Sequence, residues 1–259
     1  KIGVVGLGLI GGSIFKKLKT LNYDVVGVSN SQNGKEPNIT NDLKALSDCE
    51  IVFVATLINK TIEKLHEIEK FVDKNTIVTD CCSLKEFLVN EKFEFNFVPS
   101  HPMAGTEFQG YENSFEDLFV GAKWVLTPKN DENIDALINI IRELGATPII
   151  TTAKEHDEAV ALISHMPMVV AQALFKTIAD NKLALKLASS GFRDMTRLAL
   201  SNEEMAVDMV NMNHKNIEQA ILKLYSSVGD LIGKNYANEI SDIKTKRQNM
   251  YNKEGKNRI

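Results

Sequence analysis

The chain has 259 residues, 44% of them hydrophobic and 25% charged, with a formal net charge of -4. That length holds one large domain or two ordinary ones around a substantial core. The composition is that of a soluble globular protein rather than a disordered or fibrous one, and the mild acidity argues against nucleic acid as a partner.

The chain opens directly into Lys1-Ile2-Gly3-Val4-Val5, which reads as a strand, so no signal peptide is expected. The spacing predicts short, β-branched strands at Ile2–Val5, Asp24–Val28, Glu50–Val54, Thr76–Thr79 and Phe95–Pro99, as in buried parallel sheets. Between them lie amphipathic stretches such as Thr61 to Val72. A further unit follows: strand Lys123–Thr127, helix Asp131–Leu144, Gly145 as a stop, strand Thr147–Thr151. This alternation implies an α/β fold with a doubly wound, Rossmann-type sheet.

After about residue 152 no strand pattern remains. Ala153 to Ala179 reads as one long helix that Pro167 should kink or divide. Further helical stretches fall near Leu183–Leu187, Asn202–Ser226 and Asn235–Asn249. The expected division is a dinucleotide-binding domain over 1–152 and an all-helical domain for substrate and dimerisation over 153–259. The most apolar stretch, Val160 to Phe175, is broken by Ser164, His165 and Gln172, so no membrane span is expected. The basic residues from Lys244 to Arg258 read as a solvated helix and tail. Cys49, Cys81 and Cys82 lack metal-ligand spacing and fit a reduced, cytoplasmic protein.

Gly6-Leu7-Gly8-Leu9-Ile10-Gly11 fits G-x-G-x-x-G directly after the first strand. Gly6 allows the tight turn, Gly8 lets a pyrophosphate approach the backbone, and Gly11 lets helix and strand pack closely. The pyrophosphate then meets the N–H groups of a helix N-terminus. The second strand ends in Ser29-Asn30-Ser31-Gln32, where NAD enzymes usually place Asp or Glu for the ribose 2′-hydroxyl. Without that carboxylate, and with Lys35 nearby, NADP is the expected cofactor, with NAD possible.

Four further segments carry chemistry: Asp80-Cys81-Cys82-Ser83-Leu84-Lys85; Ser100-His101-Pro102-Met103-Ala104-Gly105-Thr106-Glu107; Glu155-His156-Asp157 with Ile163-Ser164-His165-Met166-Pro167; and Ala188 to Arg197. His101 would follow the strand Phe95–Pro99, at the sheet edge where α/β folds present ligand-facing residues. Together, and in this order, these segments resemble the prephenate/arogenate dehydrogenase family of tyrosine biosynthesis. The chain is most similar to the single-function cyanobacterial-type arogenate dehydrogenases. The resemblance runs from Ile2 to about residue 230 and includes no chorismate mutase segment.

The resemblance implies oxidative decarboxylation of arogenate or prephenate, with hydride transfer to NADP. His101 would be the general base, with a ring pKa suited to neutral pH. Ser83 would orient it; a serine there also suits a helix N-cap ahead of Leu84–Leu88. Arg197 would bind the ring carboxylate with its guanidinium fork, and Arg193 could exchange roles with it. Glu107 and Asp194 match acidic positions near the entrance, or pair on the surface with Arg193 or Lys85. His156 and Asp157 match a pair at the domain junction. His165 either reaches the site or is a hydrogen-bonded buried histidine. No metal is expected, because a nine-residue gap puts His156 and His165 on opposite helix faces. Met168 stands where some prephenate-specific relatives have histidine, and Ala206 where some have an aromatic reaching from the partner subunit. Both differences favour arogenate. Two alternatives stay open: a β-hydroxyacid-type or imine reductase, and a catalytically silent dinucleotide sensor.

Overall fold

The computed structural model describes residues 1–106, 108–129, 134–233 and 236–252. The first half builds a parallel sheet from β1 (Ile2–Val5), β2 (Val25–Val28), β3 (Ile39–Thr40), β4 (Ile51–Val54), β5 (Ile77–Asp80) and β6 (Asn96–Phe97), in the order β3-β2-β1-β4-β5-β6. Strands β1, β2, β4 and β5 are buried along their whole length, which is why they read as unbroken apolar runs. Helix α1 (Leu9–Thr20) packs Ile14, Phe15 and Leu18 on one face, and α2 (Ile58–Ile68) packs Leu65 and Ile68 on the other. Each such side chain, moved from water to the core, contributes about 1.5–3 kcal/mol. The two-residue β3 has too little pattern to be seen in the sequence.

A second sheet departs from the expected single one. It holds β7 (Ser100–Met103), β8 (Lys123–Leu126) and β9 (Thr147–Ile150), with β7 antiparallel to β8 and β8 parallel to β9. Helix α3 (Asp135–Glu143) connects the last two and buries Leu137, Ile140 and Ile141. The segment expected to run as one strand to Pro99 therefore ends at Phe97, and a new strand begins at Ser100. Pro102 is tolerated because β7 lies at the sheet edge, where a missing N–H breaks no ladder bond on its open side.

From Ala153 onward the described chain is helical: α4 (Ala153–Val160), a π turn (Ala161–His165), α5 (Met166–Ile178), α6 (Lys182–Leu187), α7 (Ser190–Thr196), a 3-10 turn (Arg197–Leu200), α8 (Glu203–Met212), α9 (His214–Gly233) and α10 (Tyr236–Asn252). A capping box starts α4: the Glu155 N–H donates to Thr152 Oγ1 at 3.2 Å, and the Thr152 N–H donates back to Glu155 Oε2 at 3.2 Å. The break expected at Pro167 takes the form of the π turn just before it. Ala153–Ile178 is nonetheless one helical stretch of 26 residues, long and apolar enough to cross a membrane by length and composition alone. It carries buried His156, Asp157 and His165.

Candidate active site

The glycine-rich turn has the geometry of a dinucleotide cradle. Gly6 sits at φ 86°, in the left-handed region, and a Cβ there would meet Ala55 O at 2.5 Å. A Cβ on Gly11 would come within 1.9 Å of Gly6 O, so turn and helix close only with glycine there. A Cβ on Gly8 meets nothing within 4 Å, which leaves the backbone open to a ligand at the start of α1. That helix has no side-chain cap and no acidic residue in its first turn, so its N–H groups and dipole remain for an anion. Leu7 is buried, and Leu9 and Ile10 enter the first turn half-buried.

At the end of β2, Ser29 is half-buried with its Oγ 3.4 Å from Ser31 Oγ; Asn30 and Ser31 are exposed. The nearby carboxylate, Glu36, is engaged elsewhere: Lys19 Nζ donates to it at 2.5 Å and the Tyr111 hydroxyl at 2.7 Å.

His101 lies within β7, not in a loop beyond a strand end. The alternation of β7 turns Ser100 and Pro102 into the core and leaves His101 and Met103 on the less buried face. The start of the strand is fixed by buried polar groups. Asp80, at the end of β5, accepts the Ser100 N–H at 3.1 Å and the Cys82 N–H at 2.9 Å. Lys85, with no exposed side-chain surface, forms an ion pair with Asp80 and donates to Ser100 O at 2.7 Å. Ser100 Oγ donates to Asp80 O at 2.8 Å and accepts from Trp124 Nε1 at 2.9 Å. Lys85 is thus an internal cation rather than a surface partner for Glu107 or Asp194.

Across from β7, His101 Nδ1 lies 3.0 Å from His156 Nε2, and His156 Nδ1 lies 2.7 Å from Asp157 Oδ1. The Asp157 carboxylate also accepts the N–H groups of Lys85 and Glu86, each at 2.9 Å. It therefore caps the 3-10 turn Glu86–Leu88, a task expected of Ser83; the turn begins too late for Ser83 to reach as an N-cap. Ser83 is half-buried in the loop between. The first-half loop and the helical half meet on this one carboxylate.

Asn213, which carried no signal in the sequence, closes the cluster. Its Nδ2 donates to Asp157 O at 3.0 Å and lies 3.2 Å from His165 Nδ1. The expectation that His156 and His165 face opposite ways is overturned by the π turn between them. A turn closed i→i+5 absorbs one residue more than an α turn, so a gap of nine advances around the helix roughly as eight would, about 80° instead of about 180°. Among the described residues, no group of three His, Cys, Asp or Glu side chains is arranged to hold a metal ion.

Burial foremost, then the neighbouring His156, Lys85 and His165, hold His101 well below the usual histidine range, so the ring is neutral but is not poised near neutral pH as expected. Burial also pushes His165 down to about 4, against the opposing pull of Asp157. The unfolded chain therefore binds a proton near pH 6.5 that the folded chain refuses until about pH 4. His165 alone should cost roughly 3 kcal/mol of stability as pH falls through that window, and nothing above it. Urea unfolding at pH 7 and pH 4.5, on wild type and His165→Asn, tests this; equal acid losses in both would refute it. Burial raises the thiols as well, Cys49 to about 11 and Cys82 to about 12, which leaves all three free cysteines protonated and unreactive at neutral pH.

The remaining expected site residues lie apart from this cluster. Arg193 and Asp194 pair with each other at 3.4 Å on α7, both exposed. Arg197 opens the following 3-10 turn, also exposed. No hydrogen bond among the described residues links these three to His101. Glu107 lies outside the described residues. Met168, 3% exposed, packs with Ala206 and Met209, so Ala206 is part of its own chain's core rather than a residue offered to a partner.

Comparison with known proteins agrees with the architecture. Residues 23–150 match the family described as prephenate dehydrogenase, nucleotide-binding domain, and residues 152–241 match prephenate dehydrogenase, dimerization domain. The chain is 31% identical over 258 residues to prephenate dehydrogenase of Lactococcus lactis subsp. cremoris strain MG1363, covering 86% of this chain and 71% of that protein. It is 29% identical over 238 residues to prephenate dehydrogenase of Bacillus subtilis strain 168, covering 83% and 64%. The chain thus spans about two thirds of the length of these curated relatives. The crystal structure of Synechocystis arogenate dehydrogenase superposes with a TM-score of 0.79 at 31% identity, covering 97% of this chain and 98% of that one.

Proposed function

The chain belongs to the prephenate dehydrogenase family, and on that footing we propose that it is an NADP-preferring dehydrogenase that oxidatively decarboxylates arogenate, with prephenate as a second substrate. The observation that carries this reading is the neutral His101, fixed in β7 beside the buried His156–Asp157 pair. Residues 1–152 hold the cofactor; 153–259 hold the substrate and the dimer contact, in a cytoplasmic enzyme without nucleic-acid or membrane partners. The helical half leaves Leu187, Leu200, Tyr225 and Ile232 at 70–81% exposure in the single chain, an apolar surface suited to a second copy.

Gly6, Gly8, Gly11 and the first turn of α1 would hold the pyrophosphate, and Ser29, Asn30 and Ser31 the ribose end. The chemistry a bound nicotinamide dinucleotide supplies there is two-electron acceptance from the carbinol carbon. His101 takes the proton of the 4-hydroxyl as that carbon is oxidised, and Ser83 orients the hydroxyl toward it. Arg197, with Arg193 as its neighbour, holds the ring carboxylate that leaves as carbon dioxide when the ring becomes aromatic. Asp194 and His165 would complete the surroundings of the substrate. The NADP preference rests on the absence of a carboxylate at the end of β2 and on the engagement of Glu36 by Lys19 and Tyr111. The arogenate preference rests on apolar Met168 and Ala206, where a histidine and an aromatic would suit the other side chain.

A side-by-side assay of arogenate and prephenate, each with NADP and NAD, should give the highest kcat/KM for arogenate with NADP. Dinucleotide binding without turnover of either substrate would instead mean a sensor. In the same assay Arg197→Ala should raise substrate KM about tenfold or more while cofactor KM stays unchanged. An unchanged substrate KM would remove Arg197 from the site.

A further inference from the structure

We propose that Asp157, acting through His156, sets the tautomer of His101, so that Nδ1 carries the hydrogen and Nε2 is the free base. The donors and acceptors run from buried Asp157 through buried His156 to half-buried His101. Asp157 receives two backbone N–H groups, from Lys85 and Glu86, and both of its oxygens are thereby acceptors. The hydrogen in its 2.7 Å contact with His156 therefore belongs to His156 Nδ1. Taken as a neutral imidazole, His156 then has its lone pair on Nε2. The atom facing that lone pair at 3.0 Å is His101 Nδ1, which must donate. A neutral His101 that donates from Nδ1 has its remaining lone pair on Nε2.

Asp157 and His156 are thus positioning residues, and they act on the state of His101 rather than on substrate. When Nε2 gains a proton, the ring's new positive charge lies one neutral imidazole away from the Asp157 carboxylate. No proton need move along the chain for this to work; His156 must only accept from His101 Nδ1. The groups facing His101 are His156 from α4, His165 from the π turn and Lys85 from the loop after β5, with Asp157 and Asp80 as the acids behind them. Lys85 and Asp80 neutralise each other, which leaves Asp157 as the carboxylate in line with the imidazole rings.

This inference rests on His101 being the base, and its test separates the two readings. His156→Leu removes the acceptor and should lower kcat about 100-fold or more, with both KM values within about twofold of wild type. His156→Gln offers an amide oxygen to His101 and an amide N–H to Asp157, and should recover kcat to within about tenfold of wild type. Nitrogen-15 histidine NMR of the dimer, with His101 assigned through His101→Asn, should show Nδ1 protonated and Nε2 bare in wild type. The spectrum of His156→Leu should show the two tautomers mixed. A hydrogen on His101 Nε2 in wild type, or full kcat in His156→Leu, would overturn the proposal. Should the leucine variant fail to fold, the wild-type spectrum and the glutamine variant still decide it. Normal turnover in His101→Asn beside the expected tautomer would sink the base assignment and leave the wiring intact.

Discussion

Replacing His101 with asparagine should lower kcat by about 10²–10⁴-fold while dinucleotide affinity stays at the wild-type value. The magnitude is what a positioned general base contributes when the remaining site still binds and orients its substrate. Asparagine keeps a polar side chain of similar reach and can still meet His156, so the strand and its partners should be undisturbed. What it lacks is a ring nitrogen able to take the 4-hydroxyl proton. Cofactor affinity is the control, because the cradle at Gly6, Gly8 and Gly11 is built from β1 and α1 and shares no hydrogen bond with His101. Isothermal titration with NADP and steady-state kinetics with arogenate measure both halves. A variant that turns over at the wild-type rate would remove His101 from the chemistry.

The second large effect is on stability. Lys85→Met should destabilise the fold by about 3–5 kcal/mol, because it leaves the Asp80 carboxylate buried without its counter-charge. For a chain of this size the melting temperature should drop by about 6–20 °C. Mutating the acid as well should not rescue it. Asp80 also accepts the Ser100 and Cys82 N–H groups, and Lys85→Met/Asp80→Leu would leave both without an acceptor. The pair is therefore unlike an ion pair that apolar residues can replace freely. A Lys85→Met protein that melts within about 2 °C of wild type would show that the cation contributes little.

What the sequence revealed and what it hid divide along the range of the interactions. The cofactor cradle is local: three glycines, one strand and one helix start within eleven residues, and each glycine's role follows from its place in the turn. His101 was legible because its neighbours Pro102 to Gly105 are unusual together. Its contacts were not. His156 was placed by resemblance at the domain junction, but its contact with His101, 55 residues away, was not legible, and Asn213 stands in no pattern that distinguishes a hydrogen-bonding residue from a surface one. Lys85 looked like a solvated charge because lysine usually is one; only the fold brings β5 and β7 around it. The second sheet was hidden for a similar reason. Pro99 marks where a strand can end, but Ser100 to Met103, with Pro102 inside it, gives no local sign that a new strand begins there in a different sheet. The helical half was legible in outline, but α7 and the turn after it are too short for periodicity to find.

The π turn at Ala161–His165 has a consequence for comparing this chain with its relatives. A regular helix over the same axial length would use one residue fewer, and the two histidines would then diverge around the axis. Insertion and deletion inside a helix are usually counted as errors of alignment, since they rotate everything downstream. Here the additional residue turns two side chains nine positions apart to within about 80° of each other around the axis. A relative whose helix lacks it can keep the same relative facing only by carrying one of the histidines a position earlier or later. Aligned column by column, such a relative would look as though it had lost a site residue that it still has.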